Sequence, residues 1–92
     1  MMSSLAKESL EKFIGDGFYI QVVEDVDNKP VYKGKNFNLA WSAVQKYKSV
    51  LIEVYRSTKL FIGYVFVDLE SNYFEFSGDY PLIVFNELKT RF

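Results

Sequence analysis

The chain contains no cysteine and no histidine. Without cysteine there is no disulfide, no thiolate nucleophile and no cysteine-ligated zinc. Histidine is the commonest general base near neutral pH and the commonest metal ligand, so its absence removes two further kinds of site. We therefore expect no catalytic residues, no metal site and no cofactor, and we expect that the protein is not an enzyme.

A long apolar segment is also missing. The longest apolar run, Leu60 to Val67, is short and contains Gly63, whereas a membrane helix needs about 20 apolar residues. The first four residues, two Met and two Ser, lack the basic start and apolar run of a signal peptide. Because small secreted domains commonly depend on disulfides, we expect a cytoplasmic protein that makes no membrane contact.

What the chain does contain is apolar and aromatic side chains. Its 92 residues are 49% hydrophobic and include nine Phe, seven Tyr and one Trp. This content is well above that of disordered segments, and the length suits one compact unit. We therefore expect one folded domain that spans residues 1–92.

Apolar spacing and turn signals divide the chain into eight elements. Asn38 is the predicted N-cap of the second helix, and Asp79 or Tyr80 that of the last. Pro30 places its short strand at an edge of the sheet. The predicted elements are a helix (4–14), strands (18–25 and 30–33), a helix (38–48), strands (50–55, 60–67 and 73–76) and a helix from 79 onward. The order predicts an α+β fold in which an antiparallel sheet of about four to five strands packs with two to three helices.

The clearest local signal is a β-hairpin made of 50–55 and 60–67. Pairing Arg56 with Leu60 predicts one face made of Val50, Ile52, Val54, Ile62, Tyr64 and Phe66. The same pairing predicts a second face made of Leu51, Tyr55, Phe61, Val65 and Val67. Since both faces are apolar, both strands are expected inside the sheet. One face belongs to the core, and the other needs either the predicted helices or a partner protein to cover it, from a host or as a second copy in a homodimer.

Charge is unevenly distributed along the chain, although the net charge is −1. Residues 29–59 carry seven basic residues against one acid, residues 1–28 carry two against six, and residues 60–92 carry two against five. Such a basic band can create a local field that attracts an acidic partner, including a nucleic acid.

A partial sequence motif also favours binding to a nucleic acid. Residues 62–69 overlap the RNP1 pattern of RNA-recognition motifs, although the leading basic residue and the final aromatic are missing. The matching positions are Gly63, Tyr64, Phe66 and Val67. Nucleic-acid binding through residues 29–59 and the strand aromatics is therefore the alternative function.

Two further patterns are too incomplete to predict a site. Ser4 and Ser9 each precede a Lys by three residues, the spacing found in some serine acyl-enzymes, but the companion motifs of those enzymes are missing. Asp25 and Asp27 resemble the start of a calcium loop that lacks its glycine and closing glutamate. A solvated helix face and a turn explain the two patterns.

We expect the protein to bind its partner through the hairpin and its basic turn. Tyr, Trp and Arg dominate the energetics of protein interfaces because they combine a large contact area with polar groups. The competing placement is a pair of acidic loops, 24–27 and 68–70, which would suit a basic target. The expected partner-binding residues are Trp41, Tyr55, Arg56, Lys59 and Phe61.

In size, composition and lack of catalytic residues, the chain resembles the small single-domain proteins with which phages and mobile elements inhibit host machinery. The resemblance rests on build alone and identifies no family. It implies a non-enzymatic protein-binding module that occludes a site on its partner.

Overall fold

The helices and strands follow the predicted order. A computed structural model describes the backbone of residues 2–91 and the side chains of residues 4–91. The elements are α1 (Met2–Gly15), β1 (Tyr19–Glu24), β2 (Lys29–Gly34), α2 (Phe37–Tyr47), β3 (Ser49–Ser57), β4 (Leu60–Asp68), β5 (Tyr73–Ser77) and α3 (Asp79–Leu88), followed by a 3-10 turn, Lys89–Arg91. The α-β-β-α-β-β-β-α order and the α+β class are confirmed.

The five strands form one antiparallel sheet in the order β2-β1-β3-β4-β5. β3 and β4 lie inside the sheet, as their two apolar faces predicted. β2, which contains Pro30, is an edge strand, as predicted from the missing N–H of proline. The second edge is β5, the short strand that follows β4.

All three helices pack on the same face of the sheet. Alternate side chains of the central strands are buried beneath them, namely Ile20, Val22, Val50, Ile52, Val54, Val65 and Val67. The helices contribute Leu5, Ala6, Leu10, Phe13, Ala40, Val44, Val84 and Leu88 to the same cluster. Within residues 2–91, the helices therefore cover one face of the sheet and leave the other uncovered.

The predicted pairing of the hairpin is correct for Tyr55 with Phe61 and wrong on both sides of that pair. Arg56 does not pair with Leu60, because Ser57 takes that place, and Ile62 stands without an opposite residue. The observed pairs at the turn are Ser57–Leu60, Tyr55–Phe61 and Val54–Gly63. The irregularity at Ile62 shifts every later pair by one residue, which reverses the faces of the β4 residues from Gly63 onward.

The contact of Gly63 with the start of α3 explains this shift. A Cβ atom at Gly63 would lie 2.4 Å from the backbone oxygen of Ser77 and 2.7 Å from Cγ of Pro81. Only glycine fits beneath this backbone, so Gly63 faces the helices. Val65 therefore joins the core, while Phe66 lies on the other face. The prediction that Phe66 shares a face with Ile52 is wrong.

The predicted helix caps are displaced by one or two residues. Asn36, rather than Asn38, caps α2, and its Oδ1 accepts a hydrogen bond of 3.0 Å from the backbone N–H of Leu39. Gly78, rather than Asp79 or Tyr80, lies at the N-cap of α3 and makes no side-chain cap. A Cβ atom at Gly78 would lie 2.5 Å from the backbone oxygen of Ile62, so close packing takes the place of a polar cap.

Candidate functional site

The sheet face without helices carries most of the exposed aromatic surface of the strands. We call it the open face. Its residues on β1, β3, β4 and β5 include Tyr19, Gln21, Leu51, Glu53, Tyr55, Phe61, Tyr64, Phe66, Tyr73 and Glu75. Phe61 is 47% exposed and Tyr73 is 49% exposed, while most of the others are half-buried by their neighbours. Six of these ten side chains are aromatic, so the open face is mainly apolar and carries tyrosine hydroxyls and glutamate carboxylates.

The aromatic rings form pairs that span neighbouring strands. The rings of Tyr55 and Phe61 meet edge to face with centroids 5.6 Å apart. Those of Phe66 and Tyr73 lie 5.9 Å apart. Such pairs stabilise the sheet and hold the rings in fixed orientations. Contacts of this kind restrict the rings before a partner binds, which lowers the entropic cost of binding.

Two carboxylates lie among these rings, and tyrosine hydroxyls hold both of them. Oε1 of Glu53 accepts hydrogen bonds from Nε2 of Gln21 at 3.1 Å and from the Tyr55 hydroxyl at 3.0 Å. The Glu75 carboxylate accepts from the hydroxyls of Tyr64 at 3.2 Å and Tyr73 at 3.0 Å. The two glutamates are two strands and two residues apart, a backbone separation of roughly 12 Å.

These hydrogen bonds shift the titration of the tyrosines. Burial raises the pKa of Tyr55, and the hydrogen bond to Glu53 raises it further. The hydrogen bond to Glu75 is the main cause of the raised pKa of Tyr73. Both tyrosines therefore stay protonated at neutral pH and remain hydrogen-bond donors to the carboxylates.

No cation of the described chain neutralises Glu53 or Glu75. The two ion pairs found within residues 4–91, Lys12–Asp16 and Glu8–Arg91, lie in the helical layer. The centre of the open face is therefore aromatic and negatively charged, which the basic segment 29–59 did not predict. A Lys or Arg from a partner can pair with either carboxylate and rest on the adjoining rings.

Three residues of the basic band, Lys35, Arg56 and Lys59, lie at one end of the sheet instead. Tyr19 pairs with Tyr55 at that end, next to the turn that carries Arg56 and Lys59, both of which are exposed. Lys35 joins this end, since its Nζ lies 4.5 Å from the centre of the Tyr19 ring. Part of the predicted basic band is thus gathered beside the aromatic rings.

The structure brings together four of the five residues predicted to bind a partner. Tyr55 and Phe61 are in contact, and Arg56 and Lys59 flank them at the turn. Trp41 lies on α2, on the other side of the sheet, where it is half-buried against the core. It therefore lies outside the surface formed by the other four.

Sequence reasoning missed several residues of this face, because the shift at Ile62 was not visible in the pattern. Tyr64 and Phe66 were predicted to share a face with Ile52, and Tyr19 and Tyr73 were not singled out. The strict alternation of valines with aromatics after Gly63 is the signal that could have found Tyr64 and Phe66, since valines are typical of a buried strand face.

The acidic loops, the competing site, lie at the opposite end of the sheet. The Glu24 carboxylate accepts hydrogen bonds from the backbone N–H groups of Val26 at 2.8 Å and Asp27 at 2.9 Å. Oδ1 of Asp68 accepts from those of Glu70 at 3.1 Å and Ser71 at 3.3 Å. Both carboxylates thus hold turns, which gives them a structural role.

The remaining polar patterns do not converge on a site. Ser9 is buried, and its hydroxyl has no hydrogen-bond partner within the described residues. Lys12, three residues later, pairs with Asp16 at 3.7 Å instead. Ser4 and Lys7 line an open, charged groove between α1 and α3. No three acidic side chains among residues 4–91 come close enough to hold a metal ion.

No helix in the described part of the chain is both long enough and apolar enough to span a membrane. No protein-family model, no curated protein and no solved structure matches the chain.

Proposed function

We propose that this chain is a non-enzymatic protein-binding module and that the open face of its sheet is the binding surface. The observation that carries the proposal is an aromatic sheet face that none of the helices in residues 2–91 covers. Large exposed apolar patches on small proteins commonly mark interaction sites. A cytoplasmic inhibitor that occludes a site on a host protein, encoded by a phage or mobile element, is one specific form of this function.

The charges of the open face favour a partner surface that is apolar with basic residues. Glu53 and Glu75 are held in place by tyrosine hydroxyls and face a partner without a cation of their own. Tyr55 and Phe61 form the aromatic pair nearest the hairpin turn. A partner that presents Lys or Arg between apolar side chains satisfies both features.

The first test compares what three versions of the protein capture from the cells that produce it. The double variant Tyr55→Ala/Phe61→Ala removes the aromatic pair but spares the core. We expect its specific partner to be enriched at least tenfold less than by the unaltered protein, since truncating two aromatic side chains in a binding surface can cost more than about 2 kcal/mol of binding. Quantitative mass spectrometry of the captured proteins measures the ratio.

The matched control is Leu39→Ala, which removes an apolar side chain that is 59% exposed on α2, on the other side of the sheet. This control should retain the partner. Equal capture by all three proteins would contradict the proposal, and so would loss of the partner with Leu39→Ala alone. Far-UV circular dichroism confirms that each version is folded.

Nucleic-acid binding is the alternative function. Lys35, Arg56 and Lys59 lie beside aromatic rings on which bases can stack, whereas Glu53 and Glu75 repel phosphates. A labelled single strand of about 20 nucleotides tests it directly. Binding whose logarithm falls steeply with the logarithm of salt concentration favours the alternative. A protein partner held by apolar contacts loses little affinity over the same range.

A further inference from the structure

One edge of the sheet is protected against pairing with another strand, and the other edge is not. Natural proteins protect sheet edges with proline, lysine and irregular pairing, because a free edge presents unpaired N–H and C=O groups. β2 carries Pro30 together with Lys29 and Lys33, and its pairing with β1 is irregular between Val22 and Val23. This edge is protected.

β5 has none of these protective features. It runs from Tyr73 to Ser77 without proline or lysine, and Glu75 is its only charged residue. Its pairing with β4 is regular over five residues. Among residues 2–91, no backbone hydrogen bond outside the β4–β5 ladder involves β5. The outer edge of β5 is therefore free to pair.

An apolar shelf lies beside this free edge. The rings of Phe76 on β5 and Phe85 on α3 are 4.7 Å apart. Leu82 precedes Phe85 by almost one helical turn and so shares its side of α3, and Leu82 is 43% exposed. Tyr80 lies on the other side of the helix, where its hydroxyl donates to Asp16 of α1. Leu82 and Phe85 thus extend the apolar layer past β5.

We propose that the edge of β5 accepts an extended segment of a partner protein as a sixth strand. Its main chain pairs with β5, its apolar side chains pack on the shelf of Leu82 and Phe85, and a Lys or Arg between them faces Glu75. Adding a strand to a free edge is a common mode of peptide recognition. The site shares Glu75 with the open face but does not include the aromatic pair of Tyr55 and Phe61, so the variants at Tyr55 and Phe61 test the open face without testing this edge.

The charge of Glu75 selects a foreign strand over a second copy of this chain. Antiparallel pairing of two copies of β5 about the middle of the strand would set Glu75 opposite Glu75 of the other copy, and like charges directly opposite are destabilising. A basic residue at the same position is attracted to a carboxylate that Tyr64 and Tyr73 already hold in place.

A synthetic peptide with the order Thr-Val-Lys-Val-Thr, blocked at both ends, is the probe. We expect saturable binding in an NMR titration, with the largest shifts at the amides of residues 73–77. The peptide with Glu in place of Lys should bind about tenfold more weakly, because attraction becomes repulsion. Glu75→Lys should reverse the preference between the two peptides, while Lys33→Glu on the other edge should not change it.

N-methylation of the peptide backbone tests main-chain pairing. Alternate amides of a strand point to opposite edges, so methylation of one alternate set should abolish binding and methylation of the other should not. Failure of the Lys peptide to saturate, equal binding of both methylated forms, shifts confined to β2, or a dimer of the free protein through β5 would each overturn the proposal.

Discussion

Ile52→Ala is expected to lower the free energy of unfolding by about 2–5 kcal/mol, the range for removing a buried isoleucine side chain. Ile52 is fully buried in the middle of β3. It lies between Val22 of β1 and Val65 of β4, which are buried as well. Since all three belong to packed strands, the cavity cannot close by a simple movement of one side chain. Urea denaturation followed by circular dichroism measures the loss.

The matched control is Phe66→Ala, on the neighbouring strand but on the open face. Phe66 is half-buried, and its ring contacts Tyr73 rather than the helices. Its removal should cost about 1 kcal/mol, the size of a cross-strand pair. A larger loss for Phe66→Ala than for Ile52→Ala would show that the two faces of the sheet have been exchanged, and the open face would then be the core.

Gly63→Ala should destabilise the protein by about 3 kcal/mol, at the upper end of the range for overpacking. The added methyl group would meet the backbone oxygen of Ser77 at 2.4 Å and the ring of Pro81 at 2.7 Å. Neither group can turn away as a flexible side chain could. The positive φ of Gly63, 155°, adds strain for any other residue.

Gly15→Ala provides the comparison for Gly63→Ala. Gly15 ends α1, and no atom lies within 4 Å of the position that its Cβ would take. Alanine there should be neutral or stabilise the protein by about 0.5–1 kcal/mol, since it restricts the unfolded chain. If the two substitutions changed the midpoint of thermal unfolding equally, the close contact between β4 and α3 would be wrong.

The number and order of the helices and strands could be predicted because the sequence signal for each element lies within its own residues. Alternating β-branched residues indicate β1, β3 and β4, and Pro30 alone places β2 at an edge. The helices follow from their apolar spacing, as at Ala40 and Val44 of α2, which are both buried. Such signals depend only on residues that are close in sequence, so they can be interpreted without knowledge of the tertiary structure.

The faces of the hairpin could not be predicted, because a contact distant in sequence determines them. Gly63 faces the helices only because Pro81 and Ser77 pack against it, and no local pattern reveals that contact. The shift moved Phe66 to the open face and Val65 into the core. One misplaced residue was enough to reverse the predicted surface along β4.

Only part of the candidate site could be predicted, because contacts distant in sequence determine the rest. Tyr55 and Phe61 lie between the two irregularities of the ladder, at Arg56 and at Ile62, so their predicted pairing is correct. The contribution of Glu53 and Glu75 depends on tyrosines of other strands that hold them. The charge of the face therefore follows from the sheet order, and the composition of segment 29–59 pointed to the opposite sign.

Hydroxyl-radical footprinting of the complex with the captured partner tests the open face most directly. The method reports the accessibility of aromatic side chains one by one. Binding through this face predicts that Phe61, Phe66 and Tyr73 become protected, while Tyr47, which is 40% exposed on α2, keeps its reactivity. Protection of Tyr47 with unchanged reactivity at Phe61, Phe66 and Tyr73 would place the partner on the helices and contradict the assignment.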